Sequence, residues 1–130
     1  MKKERITHFG RLVFEAPILY VYLNEDLEIT PEILKEINRI GLVLSEAKKH
    51  CVLADVTLNV SSTAKARKYA SNNLFMVNHV AYAMIGKSLP VNLLANFFIN
   101  VNKPKVPTKL FQEEKVAVAW LKEQFKVSVQ

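Results

Sequence analysis

Two short stretches hold the side chains that could do chemistry. Ser61-Ser62 stand before a run carrying Lys65, Arg67 and Lys68, and Gly86-Lys87-Ser88 follows an apolar segment. Hydroxyls beside cations suit two tasks, receiving a phosphoryl group and holding an anion. Gly86-Lys87-Ser88 has the ending of a P-loop. A P-loop also needs a glycine five residues before Gly86, so that backbone amides can wrap phosphates, and Ala81 stands there. Nucleotide hydrolysis is therefore not expected. The remaining functional reading is a turn at a helix start, where free amides and the dipole attract anions and Lys87 adds charge. Its bland counterpart is a capped turn with a solvated lysine. For Ser61 and Ser62 the bland counterpart is a helix cap, worth about 1 kcal/mol.

Other constellations are weaker. His8, His50 and His79 lack paired ligand spacing, and the single Cys51 excludes both an internal disulfide and a cysteine zinc cluster, so no metal site is expected. Asp55, His79 and Ser61 have the residue types of an orienter, base and nucleophile, yet no Gly-x-Ser-x-Gly elbow accompanies them. Asp55 is expected to cap local amides at a strand end. Cys51 lies in an apolar strand, where a thiol is inert packing. Asn92, Asn96 and Asn100 form a polar stripe on one helix face, but amides do not titrate. No catalytic set emerges, and the chain is expected to be non-enzymatic and to need no cofactor.

Charge is unevenly distributed. Residues 1–65 hold nine Lys/Arg and nine Asp/Glu, whereas residues 66–130 hold nine and three, which is the whole net charge of +6. No acid lies between Asp55 and Glu113, a stretch that contains seven basic residues. Such asymmetry favours anionic partners, although a solvated basic face has the same composition. Nucleic acid is not the expected partner, because the aromatics fall on inward faces and no reader motif is present.

The elements that must position these residues follow from pattern. Residues 5–9 and 11–15 alternate around Gly10 as a hairpin, which Ala16-Pro17 ends. Ile18–Leu23 is apolar on both faces, as a central strand would be. Thr30-Pro31-Glu32 starts a helix, with Ile33, Leu34, Ile37, Ile40 and Leu44 at helical spacing and an end expected near Lys48-Lys49. Cys51–Asp55 and Val80–Ile85 read as strands. Ser61-Ser62-Thr63 starts a second helix, with Ala66, Tyr69 and Ala70 inward and fraying around Asn72-Asn73. A third opens at Leu89-Pro90, with Leu93, Leu94, Phe97 and Phe98 inward. Lys109–Phe111 is a last short strand, and Glu113–Gln124 a final helix with Ala117, Trp120 and Leu121 inward. This order predicts one α/β domain over residues 1–130, with a mixed, mostly parallel sheet opened by a hairpin and helices packed on it. The apolar runs are too short for a membrane span. No apolar stretch follows Met1-Lys-Lys-Glu-Arg, so a cytoplasmic location is expected.

Three segments carry a family likeness: Val52-Leu53-Ala54-Asp55, Val80-Ala81-Tyr82-Ala83-Met84, and Phe111-Gln-Glu-Glu-Lys-Val-Ala-Val-Ala-Trp-Leu121. With the element order, they resemble the SpoIIAA-like family of the STAS fold over nearly the whole chain. The resemblance implies a small mixed sheet and mostly non-enzymatic roles. Anti-anti-sigma factors of that fold bind a partner kinase and are switched by serine phosphorylation, and some SpoIIAA-like relatives have been compared with lipid-binding domains. The switch serine sits at the start of the second helix in an Asp-Ser-Ser-Gly-like context. Here Val60 replaces the acid and Thr63 the glycine, so position points to Ser61 or Ser62 while the motif is broken.

Two functions follow as expectations. One is a regulatory or scaffolding module that docks a protein partner through the second helix and the strand-end turns, modulated at Ser61 or Ser62, with a second copy of the chain as another partner. The other is a carrier or sensor of an amphipathic or anionic small molecule such as a lipid. Its head group would lie near Lys87 and Ser88, among Lys65, Arg67 and Lys68, and its tail between the sheet and the Phe97/Phe98 helix. An empty apolar cavity above about 300 Å³ would favour the carrier, and a filled core the docking module.

Overall fold

The computed structural model describes residues 1–72 and 78–129. The chain begins with β1 (Lys2–Ile6) and β2 (Gly10–Glu15), an antiparallel pair, and β2 pairs antiparallel with β3 (Ile18–Leu23). The hairpin turn centres on Thr7, whose hydroxyl accepts from the Phe9 and Gly10 amides at 3.2 and 3.0 Å. A Cβ on Gly10 would lie 2.2 Å from the Tyr22 carbonyl oxygen, so only glycine lets β2 approach β3 there. The first strand therefore runs earlier than the alternation suggested, and Phe9 is left fully buried at the turn.

Beyond β3 the sheet is parallel. Its order is β1-β2-β3-β5-β7-β8, with β5 (His50–Asp55), β7 (His79–Ile85) and β8 (Thr108–Phe111). β4 (Glu28–Ile29) and β6 (Ser61–Ser62) form a separate two-stranded parallel bridge. The helices are α1 (Pro31–Leu44), α2 (Ala64–Ser71), α3 (Leu89–Phe97), which runs into a π-helical turn over Phe98–Asn102, and α4 (Glu114–Ser128).

α1, α2 and α3 pack on one face of the sheet around Leu12, Leu19, Val21, Val52, Ala54 and Met84. α4 alone covers the other face, setting Ala117 and Leu121 against Ile18, Cys51, Leu53, Ala81, Ala83 and Ile85. Both α4 residues are 0% exposed. Trp120 stays partly exposed and rests on Phe111 with ring centroids 5.5 Å apart, so the small Ala117 and the Leu121 side chain make the seal.

α1 begins as its sequence requires: the Thr30 side chain accepts from the Ile33 amide and Pro31 occupies the first turn. It stops at Leu44, short of the expected Lys48-Lys49 end, because Glu46 and Ala47 adopt left-handed conformations that turn the chain toward β5. The cation at its C-terminus comes from β1, where Lys3 donates to the Leu44 carbonyl at 3.2 Å and pairs with Glu46 at 3.0 Å. α2 ends at Ser71, and the Asn72 amide bonds the Tyr69 carbonyl. Asn73, the second residue of the expected frayed end, lies outside the described residues.

Candidate functional site

The serines do not cap α2. Thr63 does, its hydroxyl accepting from the Ala66 amide at 3.0 Å. Three successive hydroxyls made the cap ambiguous in sequence, and pairing with β4 holds Ser61 and Ser62 in extended backbone, two residues and one residue too early. Both serines are half-buried.

The basic residues separate. Lys65 and Lys68 are exposed on α2, and Lys87 is exposed in the β7–α3 turn. Arg67 folds inward. Its Nη1 donates to the Ser62 carbonyl at 2.7 Å and to the Ser62 hydroxyl at 3.1 Å, and its guanidinium carbon lies 5.5 Å from the centre of the Phe97 ring. At the Gly86-Lys87-Ser88 turn two of the polar groups are already occupied. The Gly86 amide donates to the Phe111 carbonyl, and the Ser88 hydroxyl caps α3 by accepting from the Val91 amide. A Cβ on Gly86 would lie 2.6 Å from Asn92 Oδ1, so the glycine admits α3 close to the sheet. The expected anion-binding set is thus split: Lys87 and Ser88 sit at this turn, while Arg67 lines a cleft.

That cleft lies between α2, β7 and α3 and has a volume of about 80 Å³. Its walls are apolar, including Ala66, Ala70, Met84, Val91 and Phe98, and its polar members are Ser61, Ser62, Arg67 and Tyr82. Tyr82 is in the middle of β7 and turns toward this face by strand alternation. Burial pushes its phenol up to about 12, so it stays protonated. A wider open groove of about 320 Å³ runs between the β1–β2 turn and α1, but Glu32 and Glu36 line it, the wrong charge for an anion.

α3 presents its apolar residues differently from expectation. Val91, Ala95 and Phe98 face the core, whereas Leu93 and Phe97 are 60% and 47% exposed. With Leu89 at 72% and Val101 at 58%, they make a ladder at four-residue spacing along the outer surface. The signal was present in the sequence: outside its Asn92/Asn96/Asn100 stripe α3 is apolar over most of its circumference, too wide an arc for periodicity alone to phase.

The Asp55–His79–Ser61 set does not assemble. Asp55 pairs with Ile85 at one end of β7 while His79 pairs with His50 at the other, which places them roughly 20 Å apart along the sheet. Asp55 accepts from the Thr57 amide and hydroxyl at 3.0 and 2.7 Å, the expected local cap. Burial pushes the Cys51 thiol up to about 11, which leaves it unreactive. His50 and His79 stack edge to face with centroids 5.1 Å apart. The His50 Nδ1–H donates to the Lys48 carbonyl at 2.8 Å. Burial lowers both pKa values, that of His79 to about 3, with His50 adding to the shift. Among the described residues no group of three or more His, Cys, Asp or Glu could hold a metal ion, and no helix is long and apolar enough to cross a membrane.

A sheet of this order, opened by a hairpin and continued in parallel, is a SpoIIAA-like fold. The chain superposes on the crystal structure of an uncharacterized DUF3478-family protein with a SpoIIAA-like fold from Shewanella loihica PV-4, with a TM-score of 0.54 and 12% identity over 93% of this chain and 92% of that one. At that identity the likeness speaks for the fold alone. The chain belongs to the family described as Domain of unknown function (DUF7793), which matches residues 12–125. No curated protein matches it in sequence.

Proposed function

We propose that the protein is a non-catalytic regulatory module that docks a protein partner on the outer surface of α3. The observation that carries this reading is the ladder of Leu89, Leu93, Phe97 and Val101, an apolar stripe on a helix whose other face already fills the core. Contiguous exposed apolar surface marks interaction sites in small proteins. The stripe lies within the stretch that has no acids, with Lys87 before α3 and Lys103 and Lys105 after it, all exposed. An amphipathic helix with an acidic border complements both features.

Ser61 and Ser62 are the proposed points of control. Thr63 supplies the cap, so neither hydroxyl is bound to the helix amides. A phosphate on Ser62 would add close to two negative charges beside Arg67, which touches Phe97 of the docking stripe. The lipid-carrier reading has less support, because the cleft of about 80 Å³ falls short of the roughly 300 Å³ that ligand pockets usually offer.

A photo-crosslinking amino acid at position 93, with position 116 on α4 as the control, tests the proposal in the source cells. The expected result is one crosslinked protein at 93 and none at 116, with an acidic amphipathic segment at the crosslink and with binding of the purified partner abolished by Phe97→Asp. Crosslinks to a second copy only, to lipid only, or equally from both positions overturn it.

A further inference from the structure

The cleft beneath Arg67 has the chemistry of a ligand site, beside the docking stripe but not resting on it. A guanidinium has two useful edges, and Arg67 uses one: Nη1 is held by Ser62. Nε is buried without a hydrogen-bond partner, and among the described residues none accepts from Nη2. Those two N–H groups point the same way and match the two oxygens of a carboxylate in a side-on pair. Burying an unpaired charged donor is costly, so a group that completes this edge gains accordingly. The Tyr82 side chain also lines the cleft, its hydroxyl has no hydrogen-bond partner among the described residues, and it remains a donor through neutral pH.

We infer that the cleft between α2, β7 and α3 binds a small monocarboxylate with a short aliphatic tail, its carboxylate on the Nε/Nη2 edge of Arg67. The charge count argues for a monoanion, since among the described residues Arg67 is the only cation lining the cleft and the other walls are apolar or hydroxylic. A phosphate dianion would leave one charge unmatched in an apolar setting. The size argues for a short tail: about 80 Å³ leaves room for a few carbons lying along Met84, Val91 and Ala95.

Methyl-resolved NMR titration of the isolated protein with sodium acetate, butyrate and hexanoate, against sodium chloride and inorganic phosphate, tests the inference without any partner. Saturable shifts confined to Ala66, Ala70, Met84 and Val91 are expected in the millimolar range. Affinity should rise about fourfold per methylene from acetate to butyrate and level off at hexanoate. Arg67→Lys keeps the charge but removes the paired edge and should weaken butyrate more than tenfold, while Lys68→Ala should change nothing. Tyr82→Phe should weaken it severalfold and serves alone if Arg67→Lys does not fold. Shifts matched by chloride or phosphate, the absence of saturation, or unchanged butyrate affinity in the folded variants overturn the inference, the cleft then holding water only.

Discussion

The two faces of the sheet are built to different ends. Under α4, a single long helix lays Ala117 and Leu121 on β3, β5 and β7, and every buried residue of that cluster is apolar, Cys51 included. The opposite face is tiled by three helices, two of them short, and the tiling leaves polar defects at both ends. At one end His50 and His79 are buried against each other. At the other, Arg67 and Tyr82 line a cleft, and α3 turns half of its apolar residues to solvent. A uniform apolar core maximises stability, whereas buried titratable groups, an unfilled cleft and an exposed apolar ladder all sacrifice some of it. Where local rules are broken on one face only, function is expected on that face.

The largest test of this contrast lies in the sealed core. Leu121→Ala should cost about 2–5 kcal/mol in denaturant unfolding, because the cavity it leaves has no room to collapse. Trp120→Ala should cost less than Leu121→Ala, since that ring is partly exposed; the reverse ranking would move the seal from Leu121 to Trp120.

Acid should act on the three-helix face. His50 and His79 have folded pKa values depressed below their unfolded value near 6.5, His79 to about 3. The unfolded chain therefore binds protons first. The histidines cost nothing above about pH 6.5, and stability falls progressively as the pH drops toward 3. Thermal midpoints measured from pH 7 to pH 4 should decline, and His79→Gln should flatten the slope. A flat profile in the wild-type protein would remove the defect from the comparison.

Gly10→Ala should destabilise by more than about 1 kcal/mol, because its Cβ would meet a backbone carbonyl that cannot rotate away. Thr63→Ala should cost about 1 kcal/mol through loss of the α2 cap, while Ser61→Ala should cost little. Equal costs at 61 and 63 would return the capping role to the serines and weaken their use as control points. The smallest effect on stability is expected from Leu93→Ser, within about 0.5 kcal/mol, and it should nonetheless abolish docking. A large loss of stability at Leu93 would mean that α3 is packed on its outer side in solution.

Part of this architecture is legible without coordinates. The alternation of strands and helices, the Thr30-Pro31 start of α1, the apolar-on-both-faces β3 and the Ala117/Leu121 face of α4 are local patterns with one physical solution each. Other features rest on contacts between residues far apart. The β4–β6 bridge pairs two-residue segments that no periodicity marks, and it moves the α2 cap from the serines to Thr63. Outside its Asn92/Asn96/Asn100 stripe α3 is apolar over most of its circumference, so only the shape of the sheet beneath it selects Val91, Ala95 and Phe98 for the core and leaves Leu93 and Phe97 outside. Arg67 sits in a basic run that reads as a solvated face, and its direction depends on Ser62 and Phe97 meeting it from two other elements. Sequence determined the elements because helix and strand periods are properties of neighbouring residues. Tertiary structure alone decided the cleft and the exposed apolar ladder of α3, because both depend on which apolar residues found a place against the sheet.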